Sequence, residues 1–373
     1  MQTSVQNHLS AIRHRRGVGA ADLARRVGVS RQTIYAIEAG SYIPNTEVAL
    51  KLACALEVSV EELFSLETER RDAPRPLRSE LLSASAPAKG QAVRVSRFGH
   101  RLISVPVNAL PYFLPEADGV ISRPGLSHGR TELVVFSQED SFAKRLILAG
   151  CDPAIGLLAG MVERLSGIEI VSAAASSKLA LSWLKEGKVH IAGSHLKDSE
   201  TGEFNLPIVR REYPEEDFAV VTFARWEEGL LTAKGNPKGI KKVADLARRS
   251  LRFMNREVGS GSRALLDNLL AQSGIPGSRL AGYDRVAFGH LAAAYAVCSG
   301  EADCCIATRA AARTFGLDFV PLQSERYDFV MRRKALELPS VQSFLDVLQK
   351  ASLRRKLEVL AGYDTTQTGA VLA

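Results

Sequence analysis

Cysteine, aromatic residues and long apolar runs are all scarce in this chain. Its 373 residues hold five cysteines, Cys54, Cys151, Cys298, Cys304 and Cys305, and no C-x-x-C pair. A disulfide scaffold needs a far higher density, so a reducing compartment is implied. Aromatic residues make up 6%, and the two tryptophans, Trp183 and Trp226, read as packing anchors. The longest apolar runs, such as 291–297, fall far short of the roughly 20 residues that a membrane helix needs. Residues 1–10 are polar and lack the apolar core of a secretory signal. A cytoplasmic protein with no membrane partner is therefore expected. Catalytic signatures are missing as well: there is no H-E-x-x-H, no G-x-S-x-G and no Walker motif. The histidines at 8, 14, 100, 128, 190, 195 and 290 are scattered, so no metal site and no cofactor is expected.

The apolar share of 46% and the charged share of 24% are ordinary for a globular protein, and the length suits two or three domains. A net charge of +7 is compatible with a polyanionic partner. Residues 1–66 read as short helices with tight turns. Residues 67–92 are rich in Pro, Ser, Ala and Arg, a linker composition with room for a short helix over 77–82. Residues 93–107 alternate Val or Ile with polar side chains and read as a hairpin inside a β-rich connecting segment, 93–130. Beyond it, strand-like runs at 132–136, 168–173, 189–192, 219–223, 252–255 and 304–307 alternate with helical patterns at 154–166, 178–186, 243–249, 262–273 and 290–299. Such alternation implies parallel βαβ units, whose ligands sit at the carboxyl ends of strands.

The stretch 21–39 carries the clearest motif. Leu23, Ala24 and Val27 share one helical face, and Gly28 suits a left-handed helix end. Ser30 can cap a second helix, on which Ile34 and Ile37 point inward. This is a helix-turn-helix, whose second helix enters the DNA major groove. Ser30, Arg31, Gln32, Thr33 and Tyr35 are its presented side chains; Arg can bond a guanine edge and Gln an adenine edge. With the turn, residues 12–16, IPN at 43–45 and LKLACALEVSVEELF at 50–64 resemble the phage-repressor, or Cro-like XRE, family. The resemblance implies a five-helix domain that binds double-stranded DNA as a homodimer, with Arg16 and Asn45 added to the contact set. Where the family often has Ser-Gln at the start of its second helix, this chain has Gly19-Ala20; arginines 13, 15, 16, 25, 26 and 31 can supply phosphate contacts instead.

Four Ser- or Gly-rich helix starts mark the other half: 150–153, 174–178, 193–196 and 259–262. A helix N-terminus presents unpaired N–H groups and a positive dipole end, so several converging on one cleft suit a small oxyanion. The segments GCDPAIGLLA (150–159), SSKLALSWLKEGKVHIAGSHLKDSETGEFN (176–205), RFMNREVGSGSRALLDNLL (252–270) and FGHLAAAYAVCSGEADCCIATRAAA (288–312) resemble the periplasmic-binding-protein-like domain. The layout is similar to type 2 molybdate-binding proteins. That resemblance implies an α/β domain over 131–373 with two lobes, about 131–212 with 325–373 and about 213–324. The crossings are expected near 210–220 and 318–329.

The fold class expected for the chain is thus multidomain, an all-α helix-turn-helix head (1–66) plus the α/β two-lobed domain. These loops offer Cys151, Asp152 and His195 to the expected site, and the resemblance implies Ser176, Ser177, Asn255, Arg256, Ser260, Gly261, Ser262, Arg263, Thr308 and Tyr327. The function expected is a one-component transcriptional regulator, not an enzyme, that senses a small anion such as molybdate, tungstate or a molybdenum-cofactor-related phosphate. Three alternatives stay open: a molybdopterin-biosynthesis-like enzyme with His195 or Asp152 as base, an organic-acid sensor, and a ligand-free architectural protein whose second domain only dimerises. Cys304 and Cys305 read as apolar core.

Overall fold

A computed structural model describes residues 5–66, 76–107, 115–126, 129–136 and 139–372. Residues 67–75 of the expected linker, and His128, lie outside them. The chain divides into two units, Met1–Arg75 and Pro76–Ala373. In the first, β1 (Val5–Asn7) pairs antiparallel with β2 (Phe64–Leu66). Between them run α1 (Leu9–Arg15), α2 (Ala20–Val27), α3 (Arg31–Glu38), α4 (Thr46–Leu56) and α5 (Val60–Leu63). Their caps explain their limits. Gly28 ends α2 at φ 78°, and the Ser30, Asn45 and Ser59 side chains accept from the third residue of the helices they start. Leu9, Leu23, Ile34, Ile37, Leu52 and Leu63 are fully buried and form the core of this unit.

The second unit starts with a closed five-stranded barrel: β3 (Leu77–Leu81), β4 (Ala92–Phe98), β5 (Arg101–Pro106), β6 (Gly119–Leu126) and β7 (Arg130–Val135). Val93, Val95, Ile103, Ile121 and Leu133 alternate inward and fill it. The expected hairpin over 93–107 is β4 with β5. Two expectations fail here. Residues 77–81 form a strand, not a helix, because β3 closes the barrel against β7 and β5 and its buried Ser79 bonds Ser104 at 2.8 Å. The run at 132–136 belongs to this barrel as β7 and not to a βαβ unit.

An eight-stranded sheet follows, in the order β13-β12-β14-β11-β15-β10-β8-β9. Its elements are β8 (Arg145–Gly150), α6 (Ile155–Ser166), β9 (Glu169–Ala174), α7 (Ser177–Lys185), β10 (Ile191–Ser194), α8 (Leu206–Glu212), β11 (Phe218–Thr232), β12 (Phe253–Arg256), α9 (Gly261–Gln272), β13 (Val286–Ala287), α10 (His290–Cys298), β14 (Cys304–Thr308), α11 (Arg309–Phe315), β15 (Asp318–Arg332), α12 (Pro339–Leu348) and α13 (Ala351–Lys356). The pattern missed β8: all six of its residues are buried, so it shows no alternation. The expected helix over 243–249 is a shorter 3-10 turn, Val243–Ala247.

Two lobes emerge because β11 and β15, each of 15 residues, run antiparallel through both. The start of β11 and the end of β15 lie with β10, β8 and β9; the other ends lie with β14, β12 and β13. The crossing expected near 210–220 is β11 itself, displaced toward the C-terminus because 206–212 folds as α8 with a proline in its first turn. Helices cover both faces of each lobe, giving paired apolar clusters on either side of the sheet. Among the described residues no helix is long and apolar enough to cross a membrane.

Candidate functional sites

On α3 the inward Ile34 and Ile37 leave Arg31, Gln32 and Tyr35 exposed. Arg31 Nη2 donates to the Tyr35 hydroxyl at 2.7 Å, so these two act as one presented group. Ser30 and Thr33 are tied to each other at 2.8 Å, and Asn45 accepts from the Val48 amide. The cap roles of Ser30 and Asn45 explain their residue types without DNA. Arg13, counted among the phosphate-contacting arginines, is buried and paired with Glu38 at 2.6 Å; it holds α1 to α3. Arg16 is exposed, with Nη2 donating to the Glu57 carbonyl at 3.1 Å.

In the two-lobed domain, strand-end loops of the two lobes approach one another. The N-termini of α7 in one lobe and α9 in the other face a common gap, and Lys178 N approaches Gly259 O at 3.5 Å across it. Only glycine fits at 259: its φ is 87°, and a Cβ there would stand 3.3 Å from Ser176 Oγ. A cavity of about 240 Å³ opens at this seam, lined by Lys178, His195, Lys197, Arg211, Gly261 and Glu325 among others.

Behind it lies a buried polar cluster. The Ser177 hydroxyl accepts from the His195 amide at 3.2 Å. His195 Nδ1 is 2.6 Å from Glu325 Oε2, and its Nε2 is 3.4 Å from Cys151 Sγ. The ring lies against Gly261, where a Cβ would clash. Arg256 is 1% exposed, held in two bonds by Glu257 at 2.8 and 2.9 Å, with Nη1 donating to Ser262 at 3.3 Å. The Ser262 hydroxyl donates to Glu228, which is fully buried. Burial and the neighbouring Glu325 charge push the Glu228 carboxyl up to about 8; burial brings Glu325 to about 7. Burial works to lower His195, but the charges of Cys151 and Glu228 and the bond to Cys151 outweigh it and raise it. His290 is held well below its usual value by burial and by the charges of Arg256 and His195. Arg256 is raised: burial opposes its charge, and the Glu257 bonds and charge prevail.

Tyr327 on β15 wedges its hydroxyl between Gly150 and Gly193, accepting from the Cys151 amide at 3.3 Å. Several expected site residues are turned to other work. Ser176, Ser260 and Thr308 cap α7, α9 and α11 with their hydroxyl oxygens. The Asp152 carboxylate accepts from Ala154 N at 2.6 Å and from the Tyr363 hydroxyl; burial raises it to about 7. Asn255 bonds the Tyr283 carbonyl at 2.8 Å. Arg263 leaves the gap, pairing with Asp267 and lying 4.0 Å from the Tyr283 ring centroid. Glu228 and Glu325 on the crossing strands, with Glu257 and His290 in the second lobe, reach the cluster without a local signal in the sequence. Linear spacing likewise gives no metal-type cluster. The structure brings one atom each of Cys151, His195 and His290 within 4.8 Å of one another. Cys304 and Cys305 are fully buried in β14, as apolar core.

Comparison with known proteins gives two family matches. Residues 159–349 match the PBP superfamily domain, and residues 9–63 match a helix-turn-helix domain. The uncharacterised protein YvgK of Bacillus subtilis strain 168 is 38% identical over 187 residues, 50% of this chain and 60% of its own length. The chain thus spans less than two thirds of that relative. The uncharacterised HTH-type transcriptional regulator YgzD of the same organism is 40% identical over 65 residues, 17% of this chain and 98% of its own. A tungstate ABC transporter structure from Geobacter sulfurreducens is 14% identical, with a TM-score of 0.43 over 59% of this chain and 99% of that one.

Proposed function

We propose, from the premise that the chain belongs to the PBP superfamily and bears a helix-turn-helix head, that it is a one-component transcriptional regulator. In this reading α3 lies in the major groove and Arg31 and Gln32 read base edges. YgzD, matched over 98% of its length, is described as an HTH-type transcriptional regulator, which supports DNA as the partner of this head. The second unit takes up a small anion in the gap between its lobes, of the oxyanion class that includes tungstate and molybdate. One observation carries the ligand reading: the positive ends of α7 and α9, from opposite lobes, meet at one seam with a fully buried guanidinium, Arg256, behind it. The Ser177 hydroxyl, which accepts from the His195 amide, stands at the same seam.

An anion that touches both lobes binds the closed arrangement better than an open one. It shifts the population by that difference in affinity and by nothing else. In a homodimer, such a shift would alter how two heads engage an operator. The test is thermal unfolding of the full chain with tungstate, molybdate, phosphate, sulfate and small carboxylates. A specific ligand at about 100 times its Kd adds about 2.7 kcal/mol of stability. The Ser177→Ala, Arg256→Ala double variant is expected to lose that shift. No shift with any of these anions would remove the ligand reading.

A further inference from the structure

Three side chains far apart in sequence meet in the gap, and the anion reading makes no use of them as a set. Cys151 follows β8 and His195 follows β10 in one lobe; His290 opens α10 in the other. Cys151 Sγ lies 3.4 Å from His195 Nε2 and 3.7 Å from His290 Nε2. A tetrahedral ion bonded to sulfur at about 2.3 Å and to imidazole nitrogen at about 2.0–2.1 Å holds those two atoms about 3.6 Å apart. The observed separations bracket that value.

The far side of each ring points to the same chemistry. A histidine that binds metal through one nitrogen usually presents the other to a carboxylate, which fixes the ring. His195 Nδ1 is 2.6 Å from Glu325 Oε2, and His290 Nδ1 is 3.6 Å from Glu228 Oε1. His290 is 0% exposed, and among the described residues its Nδ1 has no hydrogen-bond partner. Two rings that aim Nε2 at one thiol, one of them held by a carboxylate on its far side, offer what a metal site requires.

We propose that Cys151, His195 and His290 form an inter-lobe site for a zinc-class divalent transition-metal ion, with Glu325 positioning the His195 imidazole. One sulfur and two imidazole nitrogens suit this class and disfavour the oxygen-seeking magnesium and calcium. The thiol gives up its proton to solvent as the ion binds. Because the ligands come from both lobes, the ion fastens one to the other. The proposal goes beyond the anion reading and stands on ligand geometry alone.

Cobalt(II) is the probe, titrated anaerobically into the metal-free, fully reduced full-length chain. One equivalent is expected to produce thiolate-to-cobalt absorption in the near ultraviolet with tetrahedral visible bands, all bleached by zinc(II). Cys151→Ser removes the ultraviolet band, His290→Ala weakens binding at least about tenfold, and Glu325→Gln weakens it about 10–100-fold, the range for loss of a ligand's supporting group. Substituting the exposed Cys54 and Cys298 with serine leaves the spectrum unchanged. Absence of the band in the wild-type chain overturns the proposal without any variant. So does a band that survives Cys151→Ser. The oxyanion thermal shift is read separately on metal-free protein, so either proposal can fail while the other stands.

Discussion

His190 shows how much one side chain can set. It sits where β10 begins, its Nδ1 accepting from the Ile147 amide at 3.0 Å and its ring centroid 4.5 Å from that of Phe98 in the barrel. Burial brings its pKa down from 6.5 to about 4. The unfolded chain therefore takes up this proton first as pH falls. The stability His190 contributes is complete above about 6.5 and is lost as pH drops toward 4. A plot of unfolding midpoint against pH from 7 to 4 is expected to fall less steeply for His190→Asn than for the wild type; equal slopes would refute the assignment. At this scale the sequence was legible where a residue acts on its neighbours. Ser30 and Gly28 were readable as cap and helix end because their partners lie within a few positions. Glu325 was not, because its partner His195 is 130 positions away.

Among elements, the junction of the barrel with the first lobe rests on the start of β8. Arg145, 8% exposed, grips Asp118 with bonds of 2.7 and 3.0 Å and donates to the Val95 carbonyl at 2.6 Å. Glu169 on β9 meets both Arg145 and Arg94, and Arg94 returns to Asp118 at 3.2 Å. Burial acts to raise Asp118, but the bonds from Arg145 and Val95 prevail and lower it. Removing the Asp118 charge leaves Arg145 with Glu169 as its remaining carboxylate and two of its bonds weakened, at about 1–3 kcal/mol. Asp118→Asn is expected to lose that much in denaturant unfolding, while Asp118→Leu with Arg145→Met loses far less. If the double variant is as unstable as the single, the charge argument fails. The strands and helices with clear local periodicity, such as α6, α7 and α9, were readable; β3 and β8 were not, since their membership depends on strands distant in the chain.

For the whole molecule, the two proposed functions fall on separate units and should be separable by mutation. Arg31→Ala and Gln32→Ala are expected to weaken binding to DNA selected from random duplexes by about 1–3 kcal/mol per lost base contact, measured by fluorescence anisotropy at fixed salt. The same variants should leave any tungstate thermal shift and the cobalt spectrum untouched. Loss of those signals in an Arg31 variant would show that the units do not act independently.

By itself the sequence determined the helix-turn-helix, its caps and presented side chains, and the strand–loop–helix order that puts Ser- and Gly-rich turns at strand ends. Those features are written in spacings of two to four residues, which backbone geometry turns directly into faces and ends. Only the tertiary structure decided that β3 closes a barrel, that Arg13 is buried, and that Cys151, His195 and His290 share one point. Each depends on which distant strands pair and how two lobes close, and no local spacing encodes that proximity.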